Sequence, residues 1–475
     1  MIKQYEKLAH DLARLIDSGV LRPGERMPSV RKLTKSRGLS PGTVLQAYGV
    51  MEDRGLIEAR PRSGYYVAAR RGAALPAPHT YRPPDTSTPV DVSELVFHVL
   101  ESTRDRNVVP LGSAFPSPLL FPFKQLVRAF ASTSRDFDPW QTVKDLSPGN
   151  LELRKLIARR YLEAGCTIAA EEIVITSGAM EALNICLHAV TRPGDVVAIE
   201  SPAFPPALQA IEAAGLRALE IPTDPARGAD LDALEHALER HPIKACWFMT
   251  NFQNPLGSLM PESDKRALVE LLARYDVPLI EDDVYGELYL DGERPKPAKA
   301  FDRAGLVMHC SSFSKSLAPG FRVGWVAPGR RAREVAYRKL ISSLSASVPA
   351  QLAIASYLAH GSYERHLRQL RQALANQREC MLRAVSRYFP GGCRATRPRG
   401  GYFLWVELPN AVDALDLHRE AMQAGISVSP GPMFSAQRGF RNCLRLNYGH
   451  LWNDEMEKAI RKLGSMVARG VRLGS

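Results

Sequence analysis

One short segment of the chain places a nucleophilic amine among hydroxyl groups and a cation. It reads SSFSKSLAPGFR from Ser311 to Arg322, with Lys315 following an apolar run. A lysine that forms a Schiff base needs a carbonyl cofactor at a fixed distance, and pyridoxal 5′-phosphate supplies an aldehyde and an anion. We expect Ser312, Ser314 and Arg322 to hold the phosphate by charge-assisted hydrogen bonds. The alternative S-x-x-K motif of β-lactamases also needs S-D-N and K-T-G partners, which the sequence does not contain.

Other side chains suited to such a cofactor follow other apolar runs. Asp282 ends the run VPLIEDD, and a carboxylate against the pyridine nitrogen would keep the ring protonated and able to accept electrons. Tyr285 and Asn254 could hydrogen-bond the phenolate oxygen of the ring, and Phe204 could stack on its face. Taken singly, each of these residues has an ordinary reading as a helix cap, an edge residue, a turn or a core residue. Their convergence on one ligand favours the cofactor site.

Two further positions would bind the anionic ends of a cofactor and of an amino acid. Gly178 and Ala179 lie in TSGAMEAL, where a helix opens after a strand, so their N–H groups and the helix dipole suit a phosphate. Arg445 in CLRLN could pair bidentately with the carboxylate of an amino acid. Alone, Arg445 could equally form a surface ion pair.

The elements that must position these residues alternate along the body of the chain. Short apolar runs separated by amphipathic stretches indicate strands at 173–176, 196–200, 245–250, 277–282, 307–310 and 323–326. The order predicts an α/β fold with a large, mostly parallel sheet and helices on both faces. In such sheets ligands bind at the carboxyl ends of strands, where the candidate residues lie. After residue 330 a helical stretch to 388, then strands at 402–407 and 443–447, predict a smaller α+β lobe.

The first 68 residues have a different pattern, which predicts three helices followed by a hairpin. Ser29 and Ser40 are candidate N-caps, Gly38 and Gly55 end helices, and a turn with basic residues joins two short strands. This order describes a winged helix-turn-helix, whose third helix enters the major groove of DNA. The residues predicted to contact DNA are Arg31 and Lys32 on the second helix, Ser40, Gly42, Thr43 and Gln46 on the third, and Arg60 and Arg62 in the wing.

The segment MPSVRKLTKSRGLSPGTVLQAYGVMEDRGLIEARPRSGYYV resembles the GntR family of bacterial regulators. It carries the P-S-x-R-x-L helix, the G-L-S turn, the T-V-x-x-A-Y recognition helix and the basic wing of that family. The resemblance implies binding to double-stranded DNA. A winged helix used for protein docking is the alternative, and the basic second helix and wing disfavour it.

Residues from about 108 to 470 resemble fold-type I, aspartate-aminotransferase-like proteins. The order N-P-x-G, D-D-x-Y, S-x-S-K-x-x-x-P-G-x-R and L-R-x-N is that of the family. A departure is Ala179-Met180, where the family often has hydrogen-bonding side chains. The resemblance implies Lys315 as the Schiff-base lysine, Asp282 as the pyridine partner, Asn254 and Tyr285 as partners of the ring oxygen, Gly178, Ala179, Ser312, Ser314 and Arg322 at the phosphate, Phe204 as the stacking residue and Arg445 at the carboxylate.

Composition divides the chain into three parts. Residues 1–68 hold 12 Lys and Arg against 7 Asp and Glu, a net charge of +5 out of +12 for the whole chain, which suggests a polyanionic partner. Residues 69–92 contain five prolines and no apolar period, so we expect a stiff, solvated linker. The remaining residues, 93–475, would form the cofactor-binding domain, with the small lobe at about 340–475. Seven dispersed cysteines, no basic-then-apolar leader and no long apolar run predict a cytoplasmic protein with no membrane span.

Together the two halves resemble the MocR subfamily of bacterial transcription regulators. The resemblance implies a homodimer that binds pyridoxal 5′-phosphate and senses a small amino compound or the vitamer itself. The alternative is a working aminotransferase that carries a DNA-binding head, because the residues for that chemistry are present. A third possibility is a regulator that responds to the vitamer without an amino effector. The effector, the operator and the sign of regulation do not follow from the residues.

Overall fold

A computed structural model describes residues 4–17, 20–21, 25–53, 56–60, 63–67, 75–102, 107–135 and 137–473. The chain divides into an N-terminal unit, Met1–Leu75, and a body, Pro76–Ser475. We describe each by itself. In the described part of the chain, no helix has the length and apolar character that a membrane crossing requires. The same residues contain no group of three or more His, Cys, Asp or Glu side chains placed to hold a metal ion.

The N-terminal unit contains the predicted helices and hairpin. Ser29 caps the second helix by accepting a hydrogen bond from the N–H of Lys32 at 3.2 Å, and Gly38 ends that helix with φ +65°. The core contains Leu8, Leu12, Val44 and other apolar residues of all three helices. The elements are α1 (Gln4–Asp17), α2 (Val30–Arg37), α3 (Pro41–Asp53), β1 (Ile57–Arg60) and β2 (Gly64–Val67).

The large sheet of the body runs in the order β3-β6-β5-β8-β9-β10-β11-β4, with β7 beside β6. Strands β6, β5, β8, β9 and β10 are parallel, whereas β11 is antiparallel to both of its neighbours. This agrees with the predicted mostly parallel sheet. The strands are β3 (Thr88–Pro89), β4 (Val174–Thr176), β5 (Val196–Ser201), β6 (Arg217–Asp224), β7 (Gly228–Ala229), β8 (Ile243–Phe248), β9 (Leu279–Asp282), β10 (Val307–Ser312) and β11 (Gly324–Ala327).

A second sheet of four strands, in the order β12-β13-β15-β14, forms the centre of the small lobe. Its strands are β12 (Arg394–Ala395), β13 (Phe403–Glu407), β14 (Ser429–Pro430) and β15 (Cys443–Asn447). We use the name small lobe for residues 394–473, which contain these strands and the helices that follow β13 and β15. The helices of the body are α4 (Ser93–Ser102), α5 (Phe123–Arg135), α6 (Gln141–Lys144), α7 (Leu151–Glu163), α8 (Ala179–Val190), α9 (Pro205–Ala213), α10 (Leu231–Arg240), α11 (Glu262–Arg274), α12 (Ala332–Ser343), α13 (Val348–Ala359), α14 (Ser362–Tyr388), α15 (Ala414–Gln423) and α16 (Asp454–Leu473).

Two features of the body differ from the sequence-based expectation. Strand β6 was not among the predicted strands, because its sequence RALEIPTD mixes charged residues with a proline. It nevertheless lies within the sheet, paired in parallel with β5 on one side and with the short β3 on the other. The expected helical stretch from 331 to 388 is interrupted twice, at Leu344 with φ +57° and at Gly361 with φ +71°. It forms the three separate helices α12, α13 and α14.

Residues 76–92, which we call the strap, lie against both parts of the body. At its start, the N–H of Ala395 donates to the carbonyl of Pro76 at 2.9 Å, and Glu407 accepts from the N–H of His79 at 2.8 Å. Towards its end, Asp85 forms an ion pair with Arg240 at 2.9 Å. The strand β3, within the strap, pairs with β6 of the large sheet. The segment expected to be a solvated linker is therefore fastened at one end to the small lobe and at the other to the large sheet.

Candidate cofactor site and DNA-binding surface

Lys315 follows β10. It lies at the carboxyl ends of the parallel strands of the large sheet, where several polar groups meet. Its Nζ donates to the carbonyl oxygen of Ala114 at 3.0 Å and lies 4.0 Å from the ring centroid of Phe115. Desolvation, and then the positive charges of Arg445 and Arg322, lower the pKa of Lys315 to about 7. A large fraction of this amine is thus neutral near pH 7, which is the form that attacks a carbonyl carbon.

Asp282 ends β9 and pairs in register with Cys310 of β10, so its carboxylate lies at the same sheet edge as Lys315. The residue is fully buried, and neither carboxylate oxygen has a hydrogen bond of normal geometry among the described residues, although the nearby N–H of Val284 lowers its pKa. Burial and the neighbouring charge of Asp283 raise the pKa of Asp282 to about 7. A buried carboxylate without a donor is costly. A protonated pyridine nitrogen is a donor of the kind that would satisfy it.

The predicted phosphate residues come together where α8 begins. Gly178 has φ +91°, and a Cβ atom at this position would lie 2.5 Å from the terminal guanidinium nitrogen of Arg322. The guanidinium donates to the hydroxyl of Ser314 at 3.3 Å, and the N–H of Ser314 donates to the hydroxyl of Ser312 at 3.1 Å. Ala179 is the first residue of α8, so its N–H is one of the unpaired donors of the helix N-terminus. These groups form a cradle suited to an anion.

Tyr285 and Asn254 lie close to each other, as they must if both are to hydrogen-bond the ring oxygen of the cofactor. Tyr285 is 1% exposed, its ring lies edge-on to that of Tyr402 with 5.4 Å between centroids, and Asn254 is close enough to its hydroxyl to act on its pKa. Burial raises the pKa of Tyr285, so that it remains a protonated donor. Phe204 is half-buried immediately before α9, and no described contact joins its ring to the other site residues.

Arg445 lies on β15 and is 2% exposed, so the surface ion-pair interpretation does not apply. Its guanidinium donates to Asn254 at 3.2 Å, to the carbonyl of Gly112 at 2.9 Å and to the hydroxyl of Ser429 at 3.0 Å. Its Nε has no partner within the described residues. Burial lowers the pKa of Arg445 to about 10, which leaves it charged near pH 7. A buried cation with an unpaired donor, and with no ion pair to a carboxylate within the described part of the chain, suits an incoming carboxylate.

The segment from Gly112 to Phe115 was not identified from the sequence, although it touches both ends of the candidate site. Carbonyl oxygens of this segment accept hydrogen bonds from Lys315 and from Arg445. The segment is held on the small lobe, because the N–H of Gly112 donates to the Ser427 hydroxyl at 3.2 Å. Its main-chain carbonyls carry no sequence signal, and only the small, polar run GSA after Leu111 could have indicated a close backbone approach.

In the N-terminal unit, the predicted DNA contacts lie on the surface of α2 and α3. Arg31, Lys32, Gly42 and Gln46 are exposed, and Thr43 is partly exposed. Ser40 caps α3 by accepting from the N–H of Thr43 at 3.1 Å, so its hydroxyl is committed to the helix end. The backbone of Arg60 ends β1, but its side chain and the whole of Arg62 lie outside the described residues. The exposed groups therefore form one basic, hydrogen-bonding face at the start of the predicted recognition helix.

Comparisons with known proteins agree with both parts of this description. Residues 4–67 match the family described as bacterial regulatory proteins of the gntR family, and residues 109–463 match aminotransferase class I and II. The chain is 47% identical to the uncharacterized HTH-type transcriptional regulator YdcR of Escherichia coli over 98% of this chain and 99% of that protein. The chain belongs to the aminotransferase-fused GntR regulators, the MocR subfamily. It is also 40% identical to YjiR of the same bacterium, again over 98% of this chain and 99% of the relative.

Solved structures of aminotransferases share the fold of this regulator's body. A multiple substrate aminotransferase from Thermococcus profundus is 28% identical with a TM-score of 0.73, covering 81% of this chain and 96% of that one. The α-aminoadipate aminotransferase LysN of Thermus thermophilus, solved with N-(5′-phosphopyridoxyl)-L-leucine, is 29% identical with a TM-score of 0.72, covering 78% and 94%. These findings confirm the predicted fold class, the regulator family and pyridoxal 5′-phosphate as the cofactor of the family.

Proposed function

We propose that this MocR-type regulator binds operator DNA as a homodimer and responds to a small amino compound through pyridoxal 5′-phosphate held by Lys315. The observation that carries the proposal is the buried Asp282 carboxylate, whose two oxygens have no hydrogen bond of normal geometry among the described residues. It lies at the sheet edge that also presents an amine with a pKa lowered to about 7. Catalysis or sensing by this cofactor requires both groups at one site.

Each residue of the site has a distinct task in this proposal. When bound, pyridoxal 5′-phosphate supplies an aldehyde carbon for an amine and a ring that withdraws electrons. Lys315 offers its neutral amine to that aldehyde, and Asp282 holds the proton at the ring nitrogen. Arg322 and the start of α8 bind the phosphate. Tyr285 donates its phenolic proton toward the ring oxygen.

Arg445 gives the site its selectivity for amino acids. A carboxylate that binds there would compete with the Gly112 carbonyl for the guanidinium, and the unpaired Nε provides a further donor. Because Gly112 is bound to Ser427 of the small lobe, this competition changes how the lobe is held over the site. The ligand thereby gains a differential affinity for one arrangement of the lobes, which is the requirement for an effector.

Two exposed apolar stripes on the body support the homodimer. On α5, Phe123 and Val127 are exposed four residues apart, and on α12, Tyr337 and Ile341 are exposed with the same spacing. The segment after α6 is hydrogen-bonded to α12, because the hydroxyl of Ser147 donates to the carbonyl of Ala336 at 2.9 Å. Apolar stripes of this kind are typical of a surface that a partner covers. The resemblance to dimeric fold-type I proteins makes a second copy of the chain the proposed partner.

We expect the double substitution Val127→Asp and Ile341→Asp to give a monomer, because two charges would have to be buried at the interface. Analytical ultracentrifugation should show a dimer for the native chain and a monomer for the variant. A matched control is Leu162→Asp, at another exposed apolar position on α7. A variant that still sediments as a dimer would show that these two stripes do not form the interface.

The proposed function is tested by measuring operator affinity with and without pyridoxal 5′-phosphate against a panel of amino acids. We expect one class of amino acid to change the affinity roughly 5- to 150-fold, and only when the cofactor is present. Arg445→Leu should abolish this amino acid response while the absorbance of the bound cofactor persists. A response to the cofactor alone would instead favour a vitamer sensor, and no response to any compound would contradict the proposal.

The second candidate function is transamination, and the completeness of the site favours it. The proposed roles of Lys315, Asp282, Tyr285 and Arg445 are those that the reaction needs, and a relative at 31% identity is named 2-aminoadipate transaminase of Thermus thermophilus. Multiple turnovers with an amino acid and a 2-oxo acid would establish this activity. A single half-reaction without turnover, together with salt-dependent operator binding, would establish regulation as the main role.

A further inference from the structure

The aromatic ring of Phe115 lies over the amine of Lys315, with 4.0 Å between Nζ and the ring centroid. The side chain of Phe115 is nevertheless 48% exposed, so its ring borders both the candidate site and solvent. The proposed function assigns this ring neither to the cofactor nor to the carboxylate of an effector. Phe115 is therefore an apolar surface beside the reacting amine that still needs a role.

Hydrogen bonds from the small lobe hold Phe115 in this place. Its carbonyl oxygen accepts from the side-chain amide of Asn447 at 2.8 Å and from Nε2 of His450 at 3.1 Å. The same amide of Asn447 donates to the carbonyl of Ser113 at 2.8 Å. The ring is thus fixed to the small lobe, whereas Lys315 follows a strand of the large sheet.

An amino acid bound as proposed above is held at two points along this segment. Its amine takes the place of the Lys315 amine, and its carboxylate binds Arg445, whose guanidinium donates to the carbonyl of Ser113 at 3.3 Å. The β-carbon of an amino acid lies roughly 2.5 Å from its amine nitrogen. Because the centroid of Phe115 is 4.0 Å from Nζ, a side chain that points toward the ring makes van der Waals contact within one or two carbons.

The other aromatic side chains around the two binding groups are closed to solvent. The guanidinium carbon of Arg445 lies 4.2 Å from the ring centroid of Phe403 and 5.3 Å from that of Phe434, and both rings are buried. Tyr402 is also buried. The exposed side of the site is therefore the side of Phe115, and a side chain longer than a methyl group has room there.

The charged groups around the site offer no partner for a charged side chain. In the proposed function Arg445 binds the carboxylate, Arg322 the phosphate and Asp282 the ring nitrogen. Within the described part of the chain, the same three charges act on the Lys315 amine. An acidic side chain would find no additional cation there, and a basic one would lie among cations. Burying an unpaired charge against an aromatic ring is costly.

We propose that Phe115 is a specificity-determining residue, whose ring receives the side chain of an α-amino acid effector with an apolar, uncharged side chain. This inference rests on the proposed function, because Lys315 and Arg445 place the amine and the carboxylate. It also gives the side chain a part in the response. An apolar side chain packed on Phe115 connects the small lobe to the amine site on the large sheet.

The test measures the binding of a series of amino acids to the full-length protein loaded with pyridoxal 5′-phosphate, by the absorbance of the bound cofactor. Alanine, 2-aminobutyrate, norvaline and norleucine share the amine and the carboxylate, and each is one methylene longer than the one before. For the native protein, we expect the Kd to fall about fourfold for each methylene. Glutamate and lysine should bind more weakly than norleucine, and the operator response should follow the same order.

Substitution of the ring should remove this dependence on chain length. In Phe115→Ala, norleucine should bind roughly tenfold more weakly than to the native protein, because the apolar wall is lost. Alanine should keep its native Kd, since its methyl group does not need the wall. Phe115→Leu should retain most of the dependence on chain length. Phe97→Ala removes another exposed aromatic side chain, on α4, and should leave every Kd native.

Several outcomes would overturn the inference. They are a native dependence on chain length in Phe115→Ala, an equal loss of affinity for alanine and norleucine in that variant, and binding of glutamate or lysine to the native protein as tight as that of norleucine. The last comparison needs no variant, so it decides the matter even if Phe115→Ala does not fold. An absorbance that no amino acid changes in the loaded native protein would instead contradict the proposed function itself.

Discussion

Lys315→Ala is expected to abolish covalent retention of pyridoxal 5′-phosphate and the effector response of DNA binding together. The Nζ of Lys315 is the amine in the described site with a pKa lowered to about 7, and it lies at the same sheet edge as Asp282. Without this lysine, the cofactor has no covalent bond to the protein that the amine of an effector could displace. The effector then has no differential affinity for either arrangement of the lobes. Borohydride treatment followed by mass spectrometry should find no cofactor on the protein, and the coupling factor should fall from roughly 5- to 150-fold to one.

Operator affinity without effector should be unchanged in Lys315→Ala, because the DNA-binding face belongs to the N-terminal unit. Lys296→Ala serves as the control, since this lysine is 40% exposed and pairs with Glu262 on the surface. The control should retain both the adduct and the response. An effector response that survives in Lys315→Ala would show that the body senses its ligand by another route.

The parts of the fold that were predicted are those with strong local signals. Ser29 and Ser40 gave the correct starts of α2 and α3, because a side-chain cap is a local interaction. The apolar runs that end near Asp282 and before Lys315 correctly predicted β9 and β10. Parallel strands that are buried on both faces have nearly continuous apolar sequences, so they are recognisable in the sequence. Most of the candidate site therefore followed from strand ends.

The features that the sequence analysis did not predict depend on contacts between residues far apart in the chain. The carbonyls of Gly112 and Ala114 contact Arg445 and Lys315, and main-chain oxygens are the same in every residue type. A hydrogen bond of 3.1 Å between His309 and Asp283 joins two neighbouring strands and depends on their register. The strap was read as a solvated linker from its prolines. Its attachments, such as Asp85 to Arg240, become visible only in the fold.

We propose that the strap connects the effector site of the proposed function to the N-terminal unit. Arg445 and Ser429 belong to the small lobe, so an effector that binds Arg445, as proposed above, would act on that lobe. The small lobe holds the start of the strap at Pro76 and His79, whereas the large sheet holds its end at β3. A shift between the lobes must therefore move one end of the strap against the other. The chain leads directly from the small-lobe end of the strap to the N-terminal unit.

Insertion of Gly-Gly-Ser-Gly between Pro83 and Pro84 is expected to abolish the effector response of DNA binding. These prolines lie between the two attachments, and a flexible insert lets each end move without the other. Effector affinity measured with and without operator should become equal, since coupling between two sites is reciprocal. The absorbance of bound cofactor and the operator affinity without effector should remain native. The same insert after Gly391, in an exposed turn of the body, is the control and should keep the response. A strap variant with native coupling would show that the signal reaches the DNA-binding unit by a path other than the strap.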